Sequence, residues 1–277
     1  MEGPRERELS AADGTRLFLR DLPACDQPGK GGILLMHGLG EHCGRYAHVA
    51  RFFSTRGWSV RMYDHRGHGR SGGPRGDTPD HEAMLRDAKR VMDDFASGLD
   101  QPPLLFGHSM GGLFAAAFAT AGLAPLRGLV LSSPALGIAL SPPQKMLLAS
   151  LGAVTPGLPM PNGLQTRYLS HDPAVVKAYE TDPLVHARIT PRMLRCMLRT
   201  IDDAHNGAPS LAIPTLMLVS GDDRMVDARG SDAFFARLRP GIGTLHRYPD
   251  FYHEVFNEVK AQRAFDDLDR WMQAQGF

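Results

Sequence analysis

Cysteine is scarce in this chain: Cys25, Cys43 and Cys196 stand far apart among 277 residues. An odd, widely spaced set argues against a disulfide framework and fits a reducing compartment, so a cytoplasmic protein is expected. Long apolar runs are missing as well. No stretch approaches the roughly 20 residues that cross a bilayer. The opening Met1-Glu2-Gly3-Pro4-Arg5-Glu6-Arg7-Glu8 is charged where a secretory signal would be apolar. Charge of one sign is absent too: 31 Lys and Arg against 30 Asp and Glu leave +1. That removes the electrostatic case for nucleic acid or an acidic polymer as partner. There is no internal repeat and no low-complexity tract. What remains is an ordinary globular composition, 43% hydrophobic and 22% charged, long enough for one large domain or one domain with an insert.

Against that background one stretch stands out, Gly107-His108-Ser109-Met110-Gly111. Residues 104–106 before it are apolar and read as a buried strand, and Gly112-Leu113-Phe114-Ala115-Ala116 after it reads as a helix start. Strand, Gly-x-Ser-x-Gly, helix is the context of a nucleophile elbow. A serine in so tight a turn adopts a strained backbone, so the residues two before and two after it must lack side chains. The turn also sets the hydroxyl at a helix N-terminus, where backbone N–H groups favour developing negative charge.

The rest of the chain alternates around this point. A hairpin is expected at Asp13-Gly14, with residues 16–20 as its second strand. Residues 33–36, 58–63, 104–106, 129–133, 215–219 and 244–248 read as strands, and helices are expected over 46–56, 79–96 and 254–271. Strands apolar throughout and separated by helices imply a mainly parallel sheet covered on both faces, with functional loops beyond the strand carboxyl ends. From 135 to 209 the rhythm fails. Pro142, Pro143, Pro156, Pro159, Pro161, Pro173, Pro183 and Pro191 punctuate short helical pieces. The expected division is a core of 1–134 and 210–277 with a helical cap insert over 135–209.

A serine hydroxyl needs a base to take its proton, and the base needs an acid to orient it. In an alternating α/β chain they follow in the order Ser, Asp or Glu, His, each past a later strand. His253, in Asp250-Phe251-Tyr252-His253-Glu254, meets that requirement; His246 competes by position but lies within a strand. Asp222, Asp223 and Asp227 all fall in the loop after the strand 215–219. Asp223 is the favoured acid and Asp222 its main rival. The oxyanion hole needs two backbone N–H groups. Met110, next after the serine, supplies one, and Leu39, between Gly38 and Gly40, is the expected source of the other.

Several other patterns lead elsewhere and fall short. Gly67-His68-Gly69-Arg70-Ser71-Gly72 fits a dinucleotide fingerprint, but Gly73-Pro74-Arg75-Gly76 follows where a helix would have to open. Asp64, His65 and His68 could be drawn as a metal site without any further ligand cluster in support. Neither a metal nor an organic cofactor is expected. The segment 145–151 is apolar around most of its circumference, which suits packing inside the cap or a lid that touches a lipid surface.

The motifs together resemble one family. His37-Gly38-Leu39-Gly40-Glu41-His42-Cys43-Gly44-Arg45-Tyr46 is similar to the signature loop of monoacylglycerol lipases and related lysophospholipases of the α/β-hydrolase fold. Tyr63-Asp64-His65-Arg66-Gly67-His68-Gly69-Arg70-Ser71, the elbow, Tyr179-Glu180-Thr181-Asp182-Pro183-Leu184, Asp223-Arg224 and Tyr252-His253-Glu254 resemble its later blocks, so the likeness runs from about residue 11 to 277. It implies Ser109, Asp223 and His253 as a triad, Leu39 and Met110 as oxyanion donors, and Glu41, Arg45 and Tyr179 at the polar end that holds a glycerol head group. It also implies a monoacylglycerol or similar single-chain lipid ester as substrate. Lysophospholipid, thioester and proline-peptide cleavage share the same triad, and a non-hydrolytic ligand receptor is the rival of another class. The cap, the least similar part, selects the acyl chain. Many eukaryotic members carry a cysteine three residues after the acid, where this chain has Val226.

Overall fold

The computed structural model describes residues 3–25 and 29–277, with the side chains of 145 and 147 left aside. In chain order the strands are β1 (Arg5–Ser10), β2 (Arg16–Leu22), β3 (Gly32–Met36), β4 (Ser59–Tyr63), β5 (Leu104–His108), β6 (Gly128–Ser132), β7 (Met160–Pro161), β8 (Arg188–Ile189), β9 (Thr215–Ser220) and β10 (Gly243–Tyr248). The helices are α1 (Ala47–Ser54), α2 (Ala83–Ala96), α3 (Met110–Thr120), α4 (Pro142–Val154), α5 (Pro173–Thr181), α6 (Pro191–Gly207), α7 (Ala228–Phe235) and α8 (Gln262–Ala274). Eight strands form one sheet in the order β1-β2-β4-β3-β5-β6-β9-β10, while β7 and β8 make a separate two-residue ladder. The β1–β2 and β2–β4 pairs are antiparallel and all the others in the large sheet are parallel. This is the α/β-hydrolase fold.

The side-chain alternation of the parallel strands divides the core in two. Leu34, Met36, Leu105, Leu129, Leu131, Met217 and Val219 join one cluster, with α2, α3, α6 and Phe234 of α7. Their neighbours Ile33, Leu35, Leu104, Phe106, Val130, Leu216 and Leu218 join the other, with α1 and α8. Both faces are dry, which is why these strands read as unbroken apolar runs. Helix α2 presents Met84, Ala88, Val91, Met92 and Phe95 at helical spacing. Helix α3 is buried on all sides from Met110 to Phe118, because α6 covers the face that the sheet does not.

Three of the prolines that interrupt the pattern after 135 start helices. Pro142, Pro173 and Pro191 occupy first helical positions, where the missing N–H costs nothing. Asp172 Oδ1 accepts from the Ala174 N–H at 2.8 Å, and Thr190 Oγ1 from the Met193 N–H at 3.1 Å. Within 135–209, α6 shares the core cluster of α3 through Met193, Cys196, Met197 and Ala204, so from Pro191 onward the segment is part of the layer over the sheet.

Two helix starts differ from expectation. The helix expected from 79 begins at Ala83, since Asp80 Oδ1 already accepts the N–H groups of Glu82 and Ala83 at 2.8 and 2.9 Å. The helix expected from 254 begins at Gln262, after a single 3₁₀ turn at Val255–Asn257. Its first residues are engaged elsewhere. Glu254 reaches back to Arg45, and the buried Glu258 carboxylate accepts the Tyr252 and Val259 N–H groups at 2.6 and 3.1 Å. Val259 lies outside the helix and is exposed.

Candidate active site

Ser109 sits between β5 and α3 with φ 53° and ψ −118°, a conformation that costs a non-glycine residue of order 1–3 kcal/mol. Its neighbours hold it there. The Ser109 N–H donates to Ser132 O at 3.0 Å, and Ser109 O accepts from Leu113 and Ala135 at 3.0 and 2.9 Å. A Cβ on Gly107 would lie 2.4 Å from Gly111 O, and one on Gly111 would lie 2.3 Å from Met36 O. Those two glycines are thus required by close approach.

His253 lies beyond β10, and Asp223 lies beyond β9, its parallel neighbour. The Ser109 hydroxyl donates to His253 Nε2 at 2.8 Å, and His253 Nδ1–H donates to Asp223 Oδ2 at 2.7 Å. The remaining Asp223 oxygen accepts the N–H groups of Met225 and Val226 at 2.9 and 3.1 Å. Burial works against the Asp223 charge, but the imidazole beside it and these hydrogen bonds prevail and hold the carboxyl below its ordinary range. Burial likewise opposes charge on His253. The Asp223 carboxylate, aided by Glu254 and Glu41, outweighs it and raises the imidazole above the usual histidine value.

The other acids of the loop are occupied. Asp222 is solvent-facing and pairs with Arg224 at 2.9 Å, while Asp227 caps α7 by accepting the Arg229 N–H at 3.1 Å. His246, on the edge strand, lies 3.6 Å from Asp267 and not in this cluster.

Leu39 and Met110 stand beside Ser109 on the wall of a cavity of about 440 Å³. Its other walls are almost wholly apolar, including Ile138, Leu148, Leu151, Leu194 and Met197, with Val226 near the acid. Gln144 and Asn162 bring amide side chains, and no Asp, Glu, Lys or Arg occurs among its described lining residues.

Glu41, Arg45 and Tyr179 are brought together, but they are not among the residues lining this cavity. Glu41 Oε1 accepts the Gly38 N–H at 2.6 Å and the Tyr46 hydroxyl at 2.5 Å, which folds the loop after β3 onto its own side chain. The Arg45 guanidinium lies 4.8 Å over the Tyr179 ring and pairs with both Glu41 and Glu254. The Arg45–Glu41 pair has a local signal in its four-residue spacing. Glu254 has none, being 209 residues from Arg45.

Buried histidines surround the loop. His37 Nε2 accepts the His65 N–H at 3.0 Å, which leaves its Nδ1–H to donate to Gly38 O at 2.7 Å. His65 and His68 pack against His37 with ring centroids 4.5 and 5.4 Å away. Asp64, drawn from sequence as a partner for a metal, instead accepts the Cys43 and Arg70 N–H groups at 2.8 and 2.7 Å. Among the described residues no three His, Cys, Asp or Glu side chains form a metal-sized group. His108, the variable residue of the elbow, lies 4.8 Å from the His253 ring and 3.1 Å from Ser132 Oγ. Burial first, and the nearby His253 charge second, push it down to about 3. It is neutral at ordinary pH.

Known proteins share this architecture. The Hydrolase_4 family profile, described as "Serine aminopeptidase, S33", matches residues 27–260. A monoacylglycerol lipase of Mycolicibacterium smegmatis is 34% identical over 278 residues, covering 96% of this chain and 96% of its own. The monoglyceride lipase of Mus musculus is 31% identical over 272 residues, covering 95% of this chain and 89% of its own. The crystal structure of Paleococcus ferrophilus monoacylglycerol lipase matches with a TM-score of 0.85 at 32% identity, covering 94% of this chain and 99% of that one.

Proposed function

The chain belongs to the monoacylglycerol lipase and lysophospholipase family of α/β-hydrolase-fold serine hydrolases, and on that premise we propose that it cleaves single-chain lipid esters, monoacylglycerols foremost. The observation that carries this reading is a serine–histidine–aspartate relay that opens onto an apolar cavity. In this reading His253 Nε2 takes the Ser109 proton as Oγ attacks the acyl carbon. The oxyanion then forms against the N–H groups of Leu39 and Met110. His253 passes the proton to the leaving alcohol, and a water activated by the same imidazole releases the acid from Ser109. Asp223 keeps Nδ1 protonated and balances the imidazolium.

The lining supports this substrate class. An acyl chain meets walls that are apolar apart from the Gln144 and Asn162 amides, whereas the free amine of an aminopeptidase substrate would need a carboxylate, and none occurs among the described lining residues. The 135–190 segment serves as the cap in this reading. Exposed Met146 and Val154 on α4, near the cavity-lining Leu148 and Leu151, support contact with a lipid surface. Among the described residues no helix is long and apolar enough to cross a membrane.

Ser109→Ala tests the assignment. It is expected to lower turnover of monoacylglycerol and of a p-nitrophenyl ester by about 10⁶ and to abolish labelling by a fluorophosphonate. Near wild-type turnover would refute it, and turnover confined to an aminoacyl arylamide would overturn the substrate class.

A further inference from the structure

We infer that Arg45 is a positioning residue that ties the oxyanion loop to the general base, rather than a ligand for the alcohol head group. The inference rests on the triad reading above. Arg45 Nη1 donates both to Glu41 and, at 2.5 Å, to Glu254 Oε1, while Nη2 donates to Glu254 Oε2 at 2.8 Å. Each carboxylate is anchored to a different part of the machinery. Glu41 Oε1 holds the Gly38 N–H, one residue before the expected donor Leu39. Glu254 adjoins His253 in the chain and is itself steadied by the Asn257 side chain at 2.8 Å. A single guanidinium therefore spans the N-terminal oxyanion loop and the C-terminal histidine loop.

Burial gives the bridge its leverage. Glu41 and Glu254 are 3% and 4% exposed and the Arg45 side chain 11%, with Tyr179 covering the guanidinium. None of the three charged residues is among those lining the cavity that meets Ser109. A planar fork can satisfy two carboxylates at fixed angles, while an ammonium offers a point charge without that geometry. Without Arg45, two buried carboxylates would lie unpaired near His253, which also faces Asp223 and the neutral His108.

The two roles separate on a substrate with no glycerol. Arg45→Lys keeps the charge and loses the fork. It is expected to lower kcat by about 10², the scale of a displacement near 1 Å. The loss should be equal on monoacylglycerol and p-nitrophenyl butyrate, with the acid limb of the pH profile unmoved. Arg45→Met should lower kcat at least as far and move the acid limb to higher pH. Glu254→Gln, nearly isosteric, should lower kcat less and move that limb to lower pH, so the inference stays testable if the methionine variant fails to fold. A loss confined to monoacylglycerol and expressed in KM would make Arg45 a head-group ligand and overturn the inference. Lower thermal stability with both pH limbs in place would make it merely structural and overturn it equally. Residual turnover by Ser109→Ala, run in parallel, would count against the triad and not against the bridge.

Discussion

Around Ser109 the rim at the strand ends and the wall beneath residues 138–164 are built from different materials. On the rim, Asp223 has both carboxylate oxygens engaged, and Glu41 and Arg45 are tied to partners from distant parts of the chain. On the wall, Ile138, Leu148, Leu151 and Met160 meet empty volume, and the amides of Gln144 and Asn162 are its polar exceptions among the described side chains. A reacting group must be held within a fraction of an ångström, and directional hydrogen bonds do that. An acyl chain has no directional group to hold, so shape and dryness suffice. The rim should therefore respond to substitution through kcat, the wall through substrate choice.

The sharpest contrast lies within one loop. Asp223→Asn should reduce kcat by about 10⁴, because an amide would favour the wrong imidazole tautomer, whereas Asp222→Asn should leave kcat within about twofold, since an exposed pair with Arg224 contributes at most about 1 kcal/mol. Steady-state kinetics on a p-nitrophenyl ester would decide it, and a reversal of the two effects would move the acid to 222. Next in size is the wall. Ile138→Trp should cost a long-chain monoacylglycerol roughly 10–200-fold in kcat/KM for each methylene it displaces, the range for a methylene in a fitted pocket, and spare a butyryl ester. Equal loss on both chain lengths would show that the cavity does not receive the acyl group.

The smallest expected effect concerns acid stability and again sets neighbours apart. His253 is raised, so activity should fall on its acid side at a pH above the ordinary histidine value near 6.5. His108 is depressed to about 3. Its unfolded form binds a proton below about 6.5 while the folded form does not, so its contribution to stability is present above that pH and is lost as pH falls towards 3. His37, His65 and His68 are depressed by burial in the same direction. Urea midpoints should therefore decline from pH 6.5 to 4, and His108→Gln should flatten that slope. An unchanged slope would show that His108 carries none of it.

Legibility in the sequence tracked how local the physics is. The strands were readable because burial on both faces leaves only apolar residues, and the elbow because a cramped turn demands glycine at fixed spacing around Ser109. The Asp13-Gly14 hairpin was readable from its turn residues, and β1 pairs β2 across it as expected. The start of the last helix is not legible in the sequence, because Val255 and Val259 stand four residues apart, as on a helical face. Glu254 and Glu258 spend their side chains on the histidine loop instead. The ladder of Met160–Pro161 with Arg188–Ile189 gave no periodic signal, being two residues long.

By itself the amino-acid order determined which residue types stand at the ends of which strands, and with them the chemistry of a serine, an imidazole and a carboxylate. Only the tertiary structure decided that Asp223 and not Asp222 faces His253, that Arg45 faces Glu254, and that Glu41 turns inward on its own loop. The reason is range. Turn strain and alternating burial act between neighbours in the chain, whereas an ion pair spanning 209 positions exists only once the sheet has brought its ends together.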